Sequence, residues 1–168
     1  MAPIQRYSLE THAGPYASWP LTSALFAGGE ATGTRVPGYA IEAQYQTPLG
    51  ALLITSYDCP FEEANAFVLL DAAHAVIARA DLAAPYDSFL LSDHWPIDAL
   101  TLGLHYQERL FFTLSVQAPG RWPWRKPRLR LRPVFSWHQD ERMREAHDRL
   151  QADLARISAD LGTGARRD

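Results

Sequence analysis

Between Tyr39 and Val116 several runs alternate apolar and polar positions at the period of two that marks half-buried strands, and turn signals recur about every 8 to 12 residues. Tyr39, Ile41, Ala43 and Tyr45 form the first such run, Thr47-Pro48-Leu49-Gly50 reads as a turn, and Ala51 to Tyr57 returns before Asp58-Cys59-Pro60 stops the pairing. Between Phe61 and Leu82 two short apolar runs, Phe67 to Leu70 and Ala75 to Ala78, flank Asp71-Ala72-Ala73-His74 and predict a second hairpin. The competing reading of that segment is a helix, with Asp58 as N-cap, Pro60 in the first turn, Glu62 and Glu63 behind it and many alanines; it would change the fold class to α+β. Ala84 to Asp87 predicts a turn, Ser88 to Leu91 a short strand, and Trp95 to Asp98 another turn. Leu100, Leu102 and Leu104 then alternate with Thr101, Gly103 and His105, and Gln107-Glu108 connects them to Leu110, Phe112, Leu114 and Val116 on one face.

Arg128-Leu129-Arg130-Leu131-Arg132 alternates strictly, so a strand there points three guanidinium groups one way and two leucines the other. Pro127 and Pro133 confine that strand to a sheet edge. Beyond it the period changes. Ser136 with Gln139 makes a capping-box pattern, Asp140 and Glu141 suit a first turn, and Gly162 and Gly164 follow the last apolar residue, which predicts a helix over 137–161. Its apolar stripe, Met143, His147, Leu150, Leu154, Ile157 and Leu161, either docks on the sheet or pairs with a second copy as a homodimer. Residues 1–37 mix Gly, Pro, Ser and Thr with isolated aromatics, show no sustained period and read as an irregular segment. The expected architecture is therefore mainly β, an antiparallel meander of about seven or eight strands forming a sandwich or barrel, with one long C-terminal α-helix. Its divisions are 1–37, a β domain over 38–136, the helix over 137–161 and a tail over 162–168.

The 168 residues support one domain with a substantial core. The single cysteine, Cys59, excludes an internal disulfide framework and zinc sites built on several thiolates. No apolar run approaches the ~20 residues of a membrane-spanning helix, and no signal-peptide pattern opens the chain, so a cytoplasmic protein with no membrane partner is expected. The alanine- and arginine-rich composition fits a bacterial chain. The net charge of −3 hides a division. Up to Val116 four basic residues face twelve acidic ones, whereas beyond it twelve basic residues face seven acidic ones. Arg121, Arg125, Lys126, Arg128, Arg130 and Arg132 form a strip without an acidic residue among them.

Catalytic signatures are sparse. Gly28-Gly29 and Gly33 neither follow a predicted strand nor open a helix, which leaves a phosphate loop without its scaffold, and no Gly-x-Ser-x-Gly elbow occurs. Asp93 and His94 with His105, and Asp98 as a further carboxylate, are the best local metal or acid–base cluster, but their spacing matches no known site geometry. His138 and His147 lie nine positions apart on the predicted helix, about 180° out of phase, and cannot share an ion. No catalytic residue, metal or cofactor is assigned. An acidic body presenting Asp58, Glu62, Glu63, Asp71, Asp81 and Asp87 would attract a basic partner.

The strip is the more unusual feature, because Trp122, Trp124 and Trp137 interleave with its cations. Arg and Trp together compose both protein-interaction hot spots and surfaces that grip nucleic acid. The candidate binding residues are Arg121, Trp122, Trp124, Arg125, Arg128, Arg130, Arg132 and Trp137. The competing structural reading is an edge strand kept from aggregating by its arginines. A sequence pI near 6.0 ranks another protein ahead of nucleic acid as the partner. The expected function is thus a non-catalytic protein-binding module, such as an immunity protein or inhibitor that neutralises a partner. A small His/Asp enzyme and a nucleic-acid-binding protein are the two alternatives.

Overall fold

Twelve β-strands, paired throughout as antiparallel neighbours, build three sheets among the residues described by the computed structural model: 1–58, 63–83, 89–107, 110–119, 126–134, 144–149 and 151–152. The first sheet has the order β1-β5-β6-β7-β8, from β1 (Ala2–Pro3), β5 (Ala40–Thr47), β6 (Gly50–Ser56), β7 (Asn65–Leu70) and β8 (Val76–Leu82). The second runs β12-β11-β10-β9, from β9 (Leu91–Pro96), β10 (Thr101–Tyr106), β11 (Leu110–Gln117) and β12 (Arg128–Val134). The third joins β2 (Tyr7–Leu9), β3 (Thr22–Ala27) and β4 (Glu30–Pro37). No closed barrel forms.

The five-stranded sheet is the middle layer, and the reason lies in two strands without alternation. Every residue of β7 is buried, as is every residue of β6 after Gly50. Leu52, Ile54, Phe67 and Leu69 face one way, packing with Tyr45 against Leu102, Leu104, Tyr106, Leu114 and Val116 of the four-stranded sheet. Ala51, Leu53, Val68 and Leu70 face the other way, against Tyr7, Leu25 and Val36 of the three-stranded sheet. A strand buried on both faces must be apolar at every position, at about 1.5–3 kcal/mol for each fully buried large side chain. The hairpin reading of 61–82 therefore holds: β7 pairs with β8 from Asn65↔Leu82 to Leu70↔Val76, and Asp71 closes the turn by accepting the N–H groups of Ala73 and Ala75 at 2.9 Å.

The expectation of an irregular 1–37 is corrected, since four strands lie within it. Gly28 and Gly29, both at positive φ, join β3 to β4 in the two-residue connection that such glycines favour. Polar pins hold this layer to the middle sheet. Gln44 Oε1 accepts the backbone N–H groups of Arg6 and Tyr7, while its Nε2 donates to Tyr7 O; Thr34 Oγ1 donates to His74 O at 2.8 Å. At Gly38 (φ +89°) the chain turns from one sheet into the next, and a Cβ there would lie 2.5 Å from Ser56 O.

One further correction concerns the second sheet. Trp95 and Pro96, expected in a turn, complete β9, and the bend falls at Ile97 to Leu100. The helix described is α1 (Arg144–149), whose Ala146 is buried with Trp95 on the outer face of that sheet; the rest of the span expected over 137–161 lies largely outside the described residues, as does the tail.

Candidate binding surface

β12 is an edge strand of the four-stranded sheet, as its flanking prolines require, and pairs with β11 in continuous register from Gln117↔Arg128 to Phe111↔Val134. Leu129 and Leu131 pack on the main core. Alternation then places Arg128, Arg130 and Arg132 on the opposite, exposed face. Their cross-strand partners are Gln117, Ser115 and Thr113, so each guanidinium base stands beside an amide or hydroxyl side chain. Neighbouring arginines are two residues apart along the strand, roughly 7 Å. None of the three makes an ion pair or side-chain hydrogen bond among the described residues. The row is thus a fixed set of unengaged guanidinium donors on a rigid element, suited to carboxylate or phosphate oxygens.

Of the other candidates, Arg121, Trp122, Trp124, Arg125 and Trp137 lie outside the described residues, as do Cys59 and His138. The hydroxyl neighbours Thr113 and Ser115 were missed, although the alternation of Leu110, Phe112, Leu114 and Val116 already implied that their intervening residues share the other face.

The Asp93/His94/His105 cluster is split by the sheet. Asp93 and His105 are cross-strand partners, whereas adjacent His94 points to the opposite face. On the outer face Asp93 Oδ2 lies 3.5 Å from His147 Nε2, the His147 ring stands edge-on to Trp95 at 4.9 Å, and His105 stacks on Phe111 at 4.3 Å. His147 belongs to the predicted helical stripe, so this part of the stripe docks on the chain's own sheet. On the inner face the Tyr45 hydroxyl and His94 Nδ1 are 2.5 Å apart. Burial pushes the Tyr45 phenol up and the His94 imidazolium down, the latter partly offset by Asp93 and Glu42; both groups are therefore neutral near pH 7, with the phenol donating. Asp98 serves a turn, its Oδ1 accepting Leu100 N–H at 2.8 Å. No group of three His, Cys, Asp or Glu among the described residues could hold a metal ion.

The acidic display expected of the body is also reduced. Glu63 is buried and accepts Tyr57 N–H, Asp71 closes a turn, and Asp81 is paired with Arg79 at 2.7 Å. Asp58 is exposed; Glu62 and Asp87 lie outside the described residues. No helix among the described residues is long and apolar enough to cross a membrane. Comparison with protein-family profiles, curated proteins and solved structures finds no match to this chain.

Proposed function

We propose that this chain is a non-catalytic binding module that docks an acidic protein surface on the Arg128–Arg130–Arg132 row, in the manner of an immunity protein or inhibitor that masks its partner. The observation that carries the reading is the row itself: three exposed guanidinium groups, unpaired among the described residues, on one face of an edge strand whose other face is anchored in the core. Long-range attraction to an acidic partner would speed encounter, and bidentate Arg–carboxylate pairs would fix register. Nucleic acid is the second polyanion such a row would suit, but the net charge of −3 repels an extended polyphosphate. The His/Asp enzyme alternative loses support because His94 and His105 occupy opposite faces of one sheet.

The test is a pull-down from native host lysate, with and without nuclease, comparing the wild type with the R128E/R130E/R132E variant. One stoichiometric protein retained after nuclease, and lost in a variant whose circular dichroism is unchanged, is the expected result. Capture abolished by nuclease would transfer the surface to nucleic acid, and capture unaffected by the triple substitution would overturn the assignment of the row.

A further inference from the structure

On the far side of the middle sheet from the arginine row, a cavity of about 410 Å³ opens beside the three-stranded sheet. Its wall includes Trp19, Tyr39 and His12 together with the carboxylates of Glu10 and Asp58. The three rings belong to a larger aromatic cluster, with Tyr39 at its centre: ring centroids lie 5.3 Å away for His12, 5.2 Å for Trp19, 5.6 Å for Tyr16 and 5.3 Å for Tyr57. The contacts of Tyr39 are edge-to-face, an arrangement that fixes the rings against one another. The cluster also fastens residues 12–19 to the corner where β6 ends.

Several polar groups of this wall already have partners. The Trp19 indole N–H is spent on Gly14 O at 3.1 Å. Ser23 gives its only proton to Gly38 O at 2.6 Å, so at 2.7 Å it accepts from His12 Nε2. Glu10 accepts Ala24 N–H, which holds its carboxyl below the usual range, and pairs with Arg35 at 3.2 Å. Asp58, exposed at the end of β6 with a positive φ of 52°, has no ion-pair partner among the described residues. Packed aromatic rings beside a carboxylate without an ion-pair partner among the described residues suit a cation with an apolar body.

We propose that this cavity binds an organic ammonium ion, held by cation–π contact with Trp19 and Tyr39 and by the Asp58 carboxylate. The ion is either a quaternary ammonium or a primary, lysine-like amine, and the probes separate the two. The experiment is an NMR titration of the full chain with tetramethylammonium and with n-butylammonium, at constant ionic strength. The neutral isostere 3,3-dimethyl-1-butanol and methyl glucoside serve as controls. Saturable shifts of the Trp19 indole and Tyr39 ring signals are expected with at least one ammonium probe, and binding of the isostere about tenfold weaker or absent. Preference for tetramethylammonium indicates a quaternary small molecule or methylated lysine, and preference for n-butylammonium a plain lysine-like amine. Asp58→Asn, which tolerates the positive φ, should weaken the cation several-fold without altering the rest of the spectrum; Tyr39→Leu should abolish binding. Equal binding of the neutral isostere or the glucoside, no saturable shift, or indifference to Asp58→Asn would overturn the proposal, even if Tyr39→Leu failed to fold.

Discussion

At Gly103 the missing side chain is what matters. Its cross-strand partner Trp95 lays its indole over the glycine, and a Cβ built there would meet the ring at 2.5 to 2.8 Å. Trp95 in turn carries α1 through Ala146 and His147. Gly103→Ala should therefore cost about 1–3 kcal/mol and loosen α1, read as a lower denaturation midpoint and faster amide exchange over Arg144–149. The Tyr45–His94 pair makes a second residue-scale prediction. Neutral Nδ1 accepts from the phenol, and protonation would replace that acceptor with a donor facing it. Because the folded state holds the His94 pKa below its ordinary value of 6.5, the unfolded chain binds the extra proton first, and stability should fall as pH drops through about 6.5 toward the lowered value. Thermal unfolding followed from pH 8 to 5 checks this, with His94→Gln expected to flatten that part of the profile. Sequence alone exposed His94 as a candidate but not its partner, since Tyr45 is 49 positions away on another sheet.

At the scale of elements, β12 separates two jobs by parity. Leu129→Ala and Leu131→Ala, partly buried against the core, should each destabilise by about 1–2 kcal/mol, whereas Arg130→Ala should stay within about 0.5 kcal/mol in chemical denaturation and act on binding alone. A large stability loss at Arg130 would mean that the row is structural. This strand was legible because one face is buried and the other solvated, so its composition alternates; β5 and the β10–β11 hairpin were legible for the same reason, whereas β6 was legible only as the return from the Thr47–Gly50 turn. β4 was not. Its first five residues, Glu30 to Thr34, are exposed or only partly buried, so no apolar rhythm marks them. Gly28-Gly29 did carry a hairpin signal, but it was weighed only as a phosphate loop. The Trp95–Pro96 turn failed because proline is tolerated at the end of an edge strand such as β9.

For the whole molecule, the unbroken apolar runs of β6 and β7 could not reveal from sequence which layer would cover their second face, because such runs only say that both faces are buried. That cover is residues 1–37, and this makes the N-terminal layer indispensable in a way that an irregular segment would not be. Without it, Leu53, Val68 and Leu70, all at 0% exposure, would open to water as one contiguous apolar face, together with Ala51. The middle sheet would also lose the paired edge that β1 gives to β5 and the backbone ties made by Gln44. A chain beginning at Gly38 should therefore be insoluble, or soluble only as oligomers that bind 1-anilinonaphthalene-8-sulfonate, while its four-stranded sheet retains β-type circular dichroism. Restoring residues 1–37 as a separate peptide should suppress dye binding if the three-stranded sheet docks as a unit. A monomeric, cooperatively folding truncation with no dye binding would mean that the outer layer is dispensable, and would break the three-layer account of why β6 and β7 have the sequences they do.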